Sequence, residues 1–523
     1  MKDKSVGILN KWLPLALIYV ICVCFLAAVL IVATISLTYN VRVTMEPSEV
    51  PQIFLNPAYW LILFTGLVAL VYRLRFQIAK LNSNWLFVAL ATVFILCGTY
   101  LIVFADDFLR RADPWSCVTI ARHLNDGLYG DLSKNGYAHG YPFQLYWISV
   151  LRILLRINNS IRFLYAINLL FSFASVILMF FICKKILRTK FSINISLLFM
   201  FLFLPLFFNT LFVYSNVLAL TIFLAGILLF LSSENNKYSY IYLFGSAILL
   251  SVSALVKNNY LIGLTAFVIV VWFTHFKTSI KFIVVIFTGL FILSSNILIT
   301  NYYSSKSNEN VSMRTSIPKS AYLVMGLNDH GVKSGWYDSS TVDLYSNSGN
   351  SATLTDKKAK IKLKKRVIYL SKHPIYTISF FRQKWITTWG DPTFQSLFNA
   401  PLPTWGGKLK TSIMRQIYDP SGETKFSKLI RRISQVNVWF IIIFSIPVSI
   451  NILKETYHKV SESNILMIYV FYAFLFFIGG FTFHTFWEIK SQYVYQYIFI
   501  LVPVASSGLS LVITKVEKAC QAL

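Results

Sequence analysis

"FQLYWISVLRILLR" (residues 143–156) decides how this chain is laid out. It is apolar enough to suggest a membrane span. Counted as one, it inverts the side assigned to every loop that follows. The surrounding composition sets the context. The 523 residues are 56% hydrophobic and 13% charged, with 45 Phe and 29 Tyr, too little charge to cover a water-soluble surface of that length. Apolar runs of about 18–25 residues recur, matching a hydrocarbon core of roughly 30 Å at about 1.5 Å per helical residue. Residues 143–156 fall short of that length, and Arg152 and Arg156 interrupt them. They read as an amphipathic helix lying in the outer interface.

With that reading, spans fall near 12–37, 57–72, 84–104, 163–183, 193–212, 216–233, 240–256, 259–276, 282–300, 436–453, 464–481 and 493–513. The expected fold is an all-α polytopic membrane protein of about 12 helices, with external interfacial helices and a mixed external domain. Basic residues in short loops mark the cytoplasmic side. Lys2, Lys4 and Lys11 place the N-terminus there, and Arg73, Arg75, Lys80, Lys184, Lys185, Arg188, Lys190, Lys237, Lys277, Lys281, Lys454, Lys459, Lys515 and Lys518 follow consistently. Both termini are therefore expected inside a plasma membrane. Residues 12–37 are too long for a cleavable signal peptide and lack a small-residue cleavage site. Cys22, Cys24, Cys97 and Cys183 lie in apolar runs, Cys520 near the C-terminus and Cys117 alone in a polar segment, so no disulfide framework is implied.

Two external regions result. The first, 105–160, opens with "ADDFLRRADPWSCVTIARHLNDGLYGDLSKNGYAHGYP" (105–142), directly after the run "WLFVALATVFILCGTYLIVF" (85–104). The second, 301–435, holds 21 Lys+Arg against 8 Asp+Glu, a difference of +13 out of a chain total of +27. Its densest part is "DKKAKIKLKKR" (356–366). Such a run is either a solvated face that touches anionic headgroups or a clamp for a polyanionic substrate or lipid phosphate. No stretch resembles a nucleic-acid-binding module, and no nucleic-acid partner is expected. The chain divides into 1–83 (tail and two helices), 84–300 (membrane core), 301–435 (basic domain) and 436–523 (final helices and tail).

Polar residues in a membrane protein are informative by depth. Asp106, Asp107, Asp113, His139 and Tyr141 lie at the outer face. So do Asn216, which starts a span in "VYSNVLAL", Lys257, which ends one in "SALVKNN", and His484, Glu488 and Lys490 in "FHTFWEIKSQY". Drawn from separate parts of the chain, they meet at one level.

This order of features resembles the glycosyltransferase-C superfamily of enzymes using polyprenyl-phosphate sugars, nearest to its protein O-mannosyltransferase and lipid A aminoarabinose transferase branch. The likeness spans roughly residues 84–513. It rests on an acidic residue after the first core helix (Asp113), "ARHLNDG" (121–127), "HGYPFQLYW" (139–147), the basic Lys257 and "WEIKSQYVYQYIFILVP" (487–503). Where the family often has a second Asp, this chain has Asn216. The resemblance implies a polyprenyl-phosphate-linked sugar donor and inversion at the anomeric carbon. A sugar on a phosphate carrier has a good leaving group, so the enzyme needs a base for the acceptor hydroxyl and cations for the departing phosphate. Asp113 is the expected base, with Asp107 as competitor. Pro114 after it suggests that Asp113 caps the following helix. Lys257, helped by Arg382, Lys384 or Lys490, is expected to hold the phosphate. His139, Tyr141, Asn216 and Glu488 are expected near substrate, and Asp329 and His330 in "PKSAYLVMGLNDHGVKSGWYD" (318–338) suit an acceptor-binding loop. Asn216 supplies no charge, which leaves no cofactor certain, a divalent cation the only alternative, and metal ligands unknown.

Each residue has a plainer reading. An Asp at a helix exit can be a solvated interface residue, Lys257 can snorkel to headgroups, and His139 and Tyr141 can be turn and aromatic-belt residues. The function expected is transfer of a sugar to a cell-envelope acceptor: an anionic, teichoic-acid-like polymer of a bacterial cell wall, a glycolipid or a protein. The alternatives are a glycan polymerase or ligase using a diphosphate donor, which favours paired Arg, and a lipid or glycan transporter, which favours a polar path through the bilayer.

Overall fold

Long apolar runs become helices because only a helix satisfies its own backbone in lipid. The computed structural model of the chain describes residues 2–45, 49–108, 112–234, 237–307, 309–400, 408–419, 421–459 and 465–522. Helix α1 (Lys2–Thr38) leads into a hairpin of β1 (Tyr39–Met45) and β2 (Glu49–Leu55), paired antiparallel with Tyr39 opposite Leu55 and Val43 opposite Pro51. Then come α2 (Tyr59–Arg73), α3 (Arg75–Lys80), α4 (Ser83–Phe104), α5 (Ala112–Asn125), α6 (Tyr137–Gly140), α7 (Leu145–Ile157) and α8 (Ile161–Ile186). The middle of the chain carries α9 (Lys190–Phe201), α10 (Leu204–Phe208), α11 (Ser215–Ser233), α12 (Ser239–Val256), α13 (Leu261–Val271) and α14 (Thr278–Ser307). A polar region holds α15 (Lys319–Leu327), α16 (Ser340–Ser346), α17 (Ala352–Lys372), α18 (Pro374–Trp389) and α19 (Ser412–Ile417). The described chain closes with α20 (Lys425–Lys459), α21 (Ile465–Phe486), α22 (Tyr495–Phe499) and α23 (Val502–Ala522).

Among the described residues nine helices are long and apolar enough to cross a membrane, and the chain is an all-α polytopic membrane protein. The dozen expected spans differ from these in three places. Residues 193–212 are not one rod: α9 and the helix over 204–211 bend by 43°. Pro205 has no N–H to continue the ladder and its ring crowds the preceding turn. Asn168 of α8 fills the gap, its Nδ2 donating to the carbonyls of Asn209 and Phe212 at 2.8 Å each. Residues 57–72 and 259–276 form the shorter apolar helices α2 and α13.

Of residues 143–156, all but Phe143 and Gln144 lie in α7, which is 13 residues long and not among the spans. It buries Leu145, Trp147, Ile148, Leu151 and Leu155 and leaves Ile153 and Ile157 exposed. Arg152 does not interrupt a span; its guanidinium is satisfied by Asn125 Oδ1 and the Leu124 carbonyl of α5.

The bundle is held by close helix contacts. Phe25 of α1 stacks on Phe474 of α21 with centroids 3.7 Å apart, and Trp439 of α20 donates its indole N–H to the Ser36 carbonyl at 2.8 Å. At Gly508 of α23 an added Cβ would lie 1.8 Å from the Phe444 carbonyl oxygen of α20. Only a residue without a side chain permits that approach. Gly508→Ala is expected to force the helices apart at a cost of about 1–3 kcal/mol, read as a lower unfolding temperature in detergent. An unchanged midpoint would show that the two helices give way freely there.

Candidate active site

The C-terminal ends of α4, α12 and α21 and the N-terminal end of α11 lie at one end of the bundle, where the polar region also attaches. There the side chains of Asp113, Tyr137, Tyr214, Lys257, Glu488 and Tyr493 converge. Tyr137 donates its hydroxyl to Asp113 Oδ1 at 3.0 Å and Tyr214 to Oδ2 at 3.4 Å. Gln144 donates in turn to the Tyr214 hydroxyl. Lys257 Nζ lies 4.1 Å from the Tyr214 ring centroid and 5.7 Å from that of Tyr493, which donates to Glu488 Oε1 at 3.0 Å. One ammonium is therefore seated on two tyrosine rings, each hydrogen-bonded to a carboxylate, a cation–π seat strengthened by desolvation.

Burial sets the charge balance. It pushes Lys257 down to about 8, against the pull of Asp113, Cys117 and Glu488. It pushes Glu488 up to about 7; Asp113 adds to the rise, while Lys490, the Tyr493 hydrogen bond and Lys257 oppose it. Perturbation by burial together with specific charged partners is a mark of functional sites.

The polar region clamps the loop that carries Glu488. Lys384 of α18 is fully buried and donates to the carbonyls of Gly326 and Trp487, the latter at 2.7 Å. Burial pushes it down to about 7, with Glu488 pulling the other way. Ile489 N donates to the Gly335 carbonyl at 2.9 Å. A Cβ at Gly326 would sit 2.4 Å from the Trp487 carbonyl carbon, so only glycine lets α15 approach this closely. Lys384 is thus a staple between two backbones.

The other expected residues have distinct settings. Lys490 pairs with Glu49 of β2 at 2.9 Å and covers the Tyr337 ring at 4.8 Å. Glu49 also takes a hydrogen bond from Gln395 at 2.6 Å, so the N-terminal hairpin forms one wall beside the site. Tyr141 stacks obliquely on Tyr137 at 4.7 Å, and burial raises its hydroxyl, with Tyr337, Asp113 and Glu488 adding to the shift. His139 is held through its carbonyl by Thr315 and faces Glu309 and Lys134; burial lowers its imidazole. Asn216 is buried, its Oδ1 has no hydrogen-bond partner among the described residues, and it shares a small recess with Lys257, Asn259, Tyr260 and Gln492.

Four expected site residues, Arg382, Asp329, His330 and Asp107, are occupied elsewhere. Arg382 is exposed and donates to the Tyr39 hydroxyl of the hairpin. Asp329 accepts from Tyr376, Ser334 and the Gly331 N–H, and His330 pairs with Asp338 at 2.8 Å, a self-satisfied turn. Asp107 accepts from the Arg162 N–H at 3.0 Å and from Ser160, so it caps α8; Asp106 accepts from the Lys408 N–H. Asp107→Ala is expected to cost about 1 kcal/mol of stability and leave turnover within a few-fold of wild type. A dead but folded variant would reassign the base.

Asp113 does not stand before its helix as the expected cap. The helix begins at Ala112, Asp113 lies within its first turn, and its carboxylate turns to the two tyrosines. Ala112 holds φ at +36°, a strained setting for a side-chain-bearing residue. Sequence reasoning passed over Tyr137, Tyr214, Tyr493 and Glu49. The tyrosines stand in the quoted segments around 137, 214 and 493, but a Tyr-rich chain gives no reason to single them out.

No family model and no curated protein matches this sequence. Among solved structures, the archaeal oligosaccharyltransferase AglB from Archaeoglobus fulgidus, in complex with an inhibitory peptide and a dolichol-phosphate, is similar at a TM-score of 0.40 and 13% identity. The match covers 84% of this chain and 52% of that one, so this chain spans about half the length of that protein. A likeness at that level carries no inference about substrate or activity.

Proposed function

We propose that the chain is a membrane glycosyltransferase that moves a sugar from a polyprenyl-phosphate donor to an acceptor hydroxyl on the extracytoplasmic side, with inversion. The observation that carries the reading is one lysine set between two carboxylates at one end of an apolar bundle, against a basic polar region. Asp113 takes the acceptor proton as the hydroxyl oxygen attacks the anomeric carbon. The bond from that carbon to the carrier phosphate oxygen breaks, and Lys257 stabilises the phosphate as it leaves. Glu488, raised toward neutrality by burial, hydrogen-bonds the incoming or outgoing group without adding a second full negative charge. The cations here are lysines, point charges that suit a phosphodiester better than the bidentate pairing a diphosphate rewards.

A divalent cation does not fit the site as built. Both Asp113 oxygens accept tyrosine hydroxyls, one Glu488 oxygen does, and the Lys257 ammonium stands between them. The reading is tested by comparing envelope glycans of a deletion strain with those of the parent. A glycan that loses one sugar, restored by the wild-type gene, supports it; an unchanged profile overturns it.

A further inference from the structure

We infer that the polar region carries a separate binding site for a phosphate-bearing acceptor chain, in the cleft between α15, α16 and α17. The cleft has a volume of about 440 Å³ and is lined by Lys362, Lys365 and Arg366 together with Asn328, Ser340 and Tyr369. None of its lining residues is a carboxylate. The three cations are spaced i, i+3 and i+4 on α17, which sets them on one helix face.

They are not equivalent. Arg366 is anchored: Nε donates to the Leu327 carbonyl at 2.7 Å, Nη2 to the Tyr376 hydroxyl at 2.8 Å, and the guanidinium lies over Tyr376 and Phe380. It forms a fixed positive floor. Lys362 and Lys365 are exposed, and among the described residues neither is paired with a carboxylate. In contrast, Lys360 on the same helix is neutralised by Asp356 at 2.5 Å. Two free ammonium groups over a fixed guanidinium suit successive phosphates on a polymer.

The place of the cleft argues for acceptor over lipid. One face of α15 supplies Ala321 and Val324 to the cleft. From the same helix, Tyr322 stacks on Trp487 with centroids 5.4 Å apart, beside the loop of Glu488. Burial raises the Tyr322 hydroxyl, and Tyr141, Glu488 and Asp113 add to that rise. The cleft and the loop of Glu488 thus lie against the same helix, so a chain seated in the cleft is held beside the element that borders the carboxylates. The inference rests on the glycosyl-transfer reading for the fate of the bound chain, but binding itself is measured without turnover.

The test uses the full chain in detergent and a linear inorganic polyphosphate as probe. Lys362→Ala with Lys365→Ala is expected to weaken binding about tenfold. Lys357→Ala with Lys364→Ala removes equal charge from the opposite face of the same helix and is expected to leave affinity within twofold. Equal losses from both pairs would reduce the effect to overall charge and overturn the site, as would no loss from the first pair. Vesicles of phosphatidylglycerol added in excess should not displace the probe from wild type; displacement would assign the cleft to lipid headgroups and overturn the acceptor assignment.

Discussion

Asp113→Asn is expected to lower turnover by roughly a hundred- to ten-thousand-fold, the usual contribution of a general base, while the protein stays folded and still binds donor. Asn is nearly isosteric with Asp. Its oxygen can accept from Tyr137 as Oδ1 does now, and its amide can donate to Tyr214. What is lost is the site for the proton. The measurement is single-turnover transfer from a synthetic polyprenyl-phosphate sugar, alongside donor binding and thermal unfolding of the same preparation. A folded variant with near-normal turnover removes Asp113 from the chemistry. The next candidate is then Glu488, which burial holds at about 7, a value suited to exchanging a proton near neutrality. Asp107 is a weaker substitute, because its oxygens are engaged at the N-terminus of α8.

The parts of this arrangement that were legible in the sequence are those governed by depth and spacing. Apolar run length announces the helices, and polar residues at run ends announce a shared level, so Asp113, Lys257 and Glu488 could be placed together without a structure. Residue type alone does not show what a side chain does after it arrives there. Lys384 and Lys257 are both lysines next to apolar segments. One spans two backbone carbonyls and the other sits on two aromatic rings, and this depends on contacts from residues up to 236 positions away (Lys257 to Tyr493). The hairpin was hidden for another reason. "YNVRVTM" alternates as a strand should, but it directly follows an apolar helix and is only seven residues long. Its partner strand carries Glu49, whose role shows only through Lys490 and Gln395 across the fold. The break in the span at Leu202–Phe203 was signalled by Pro205, yet the apolar run continues through it and masks the kink.

Lys257→Ala is expected to weaken donor binding ten- to a hundred-fold, since a charged contact at a desolvated rim contributes about 1.5–3 kcal/mol. A pH series distinguishes this role from anchoring to headgroups. Burial lowers the Lys257 ammonium from its ordinary range to about 8, so it loses its proton as pH rises through that value. A phosphodiester donor keeps its single charge across the same range. Donor affinity of the wild type should therefore fall above about pH 8, and the fall should appear in KM more than in kcat, because bound phosphate restores the proton. Stability moves the opposite way. Between about 8 and the unfolded value of 10.5 the unfolded chain binds the proton that the folded chain has released, so this group's contribution to stability rises with pH. Unfolding at Lys257 thus cannot mimic the loss of binding. Lys257→Arg, charged at every pH in the series, should keep donor affinity flat across pH 8. The alanine variant should be weak and equally flat. An alanine variant that binds a polyprenyl-phosphate analogue as tightly as wild type, with the same pH profile, would leave Lys257 as an interface anchor and move the phosphate site to Lys490.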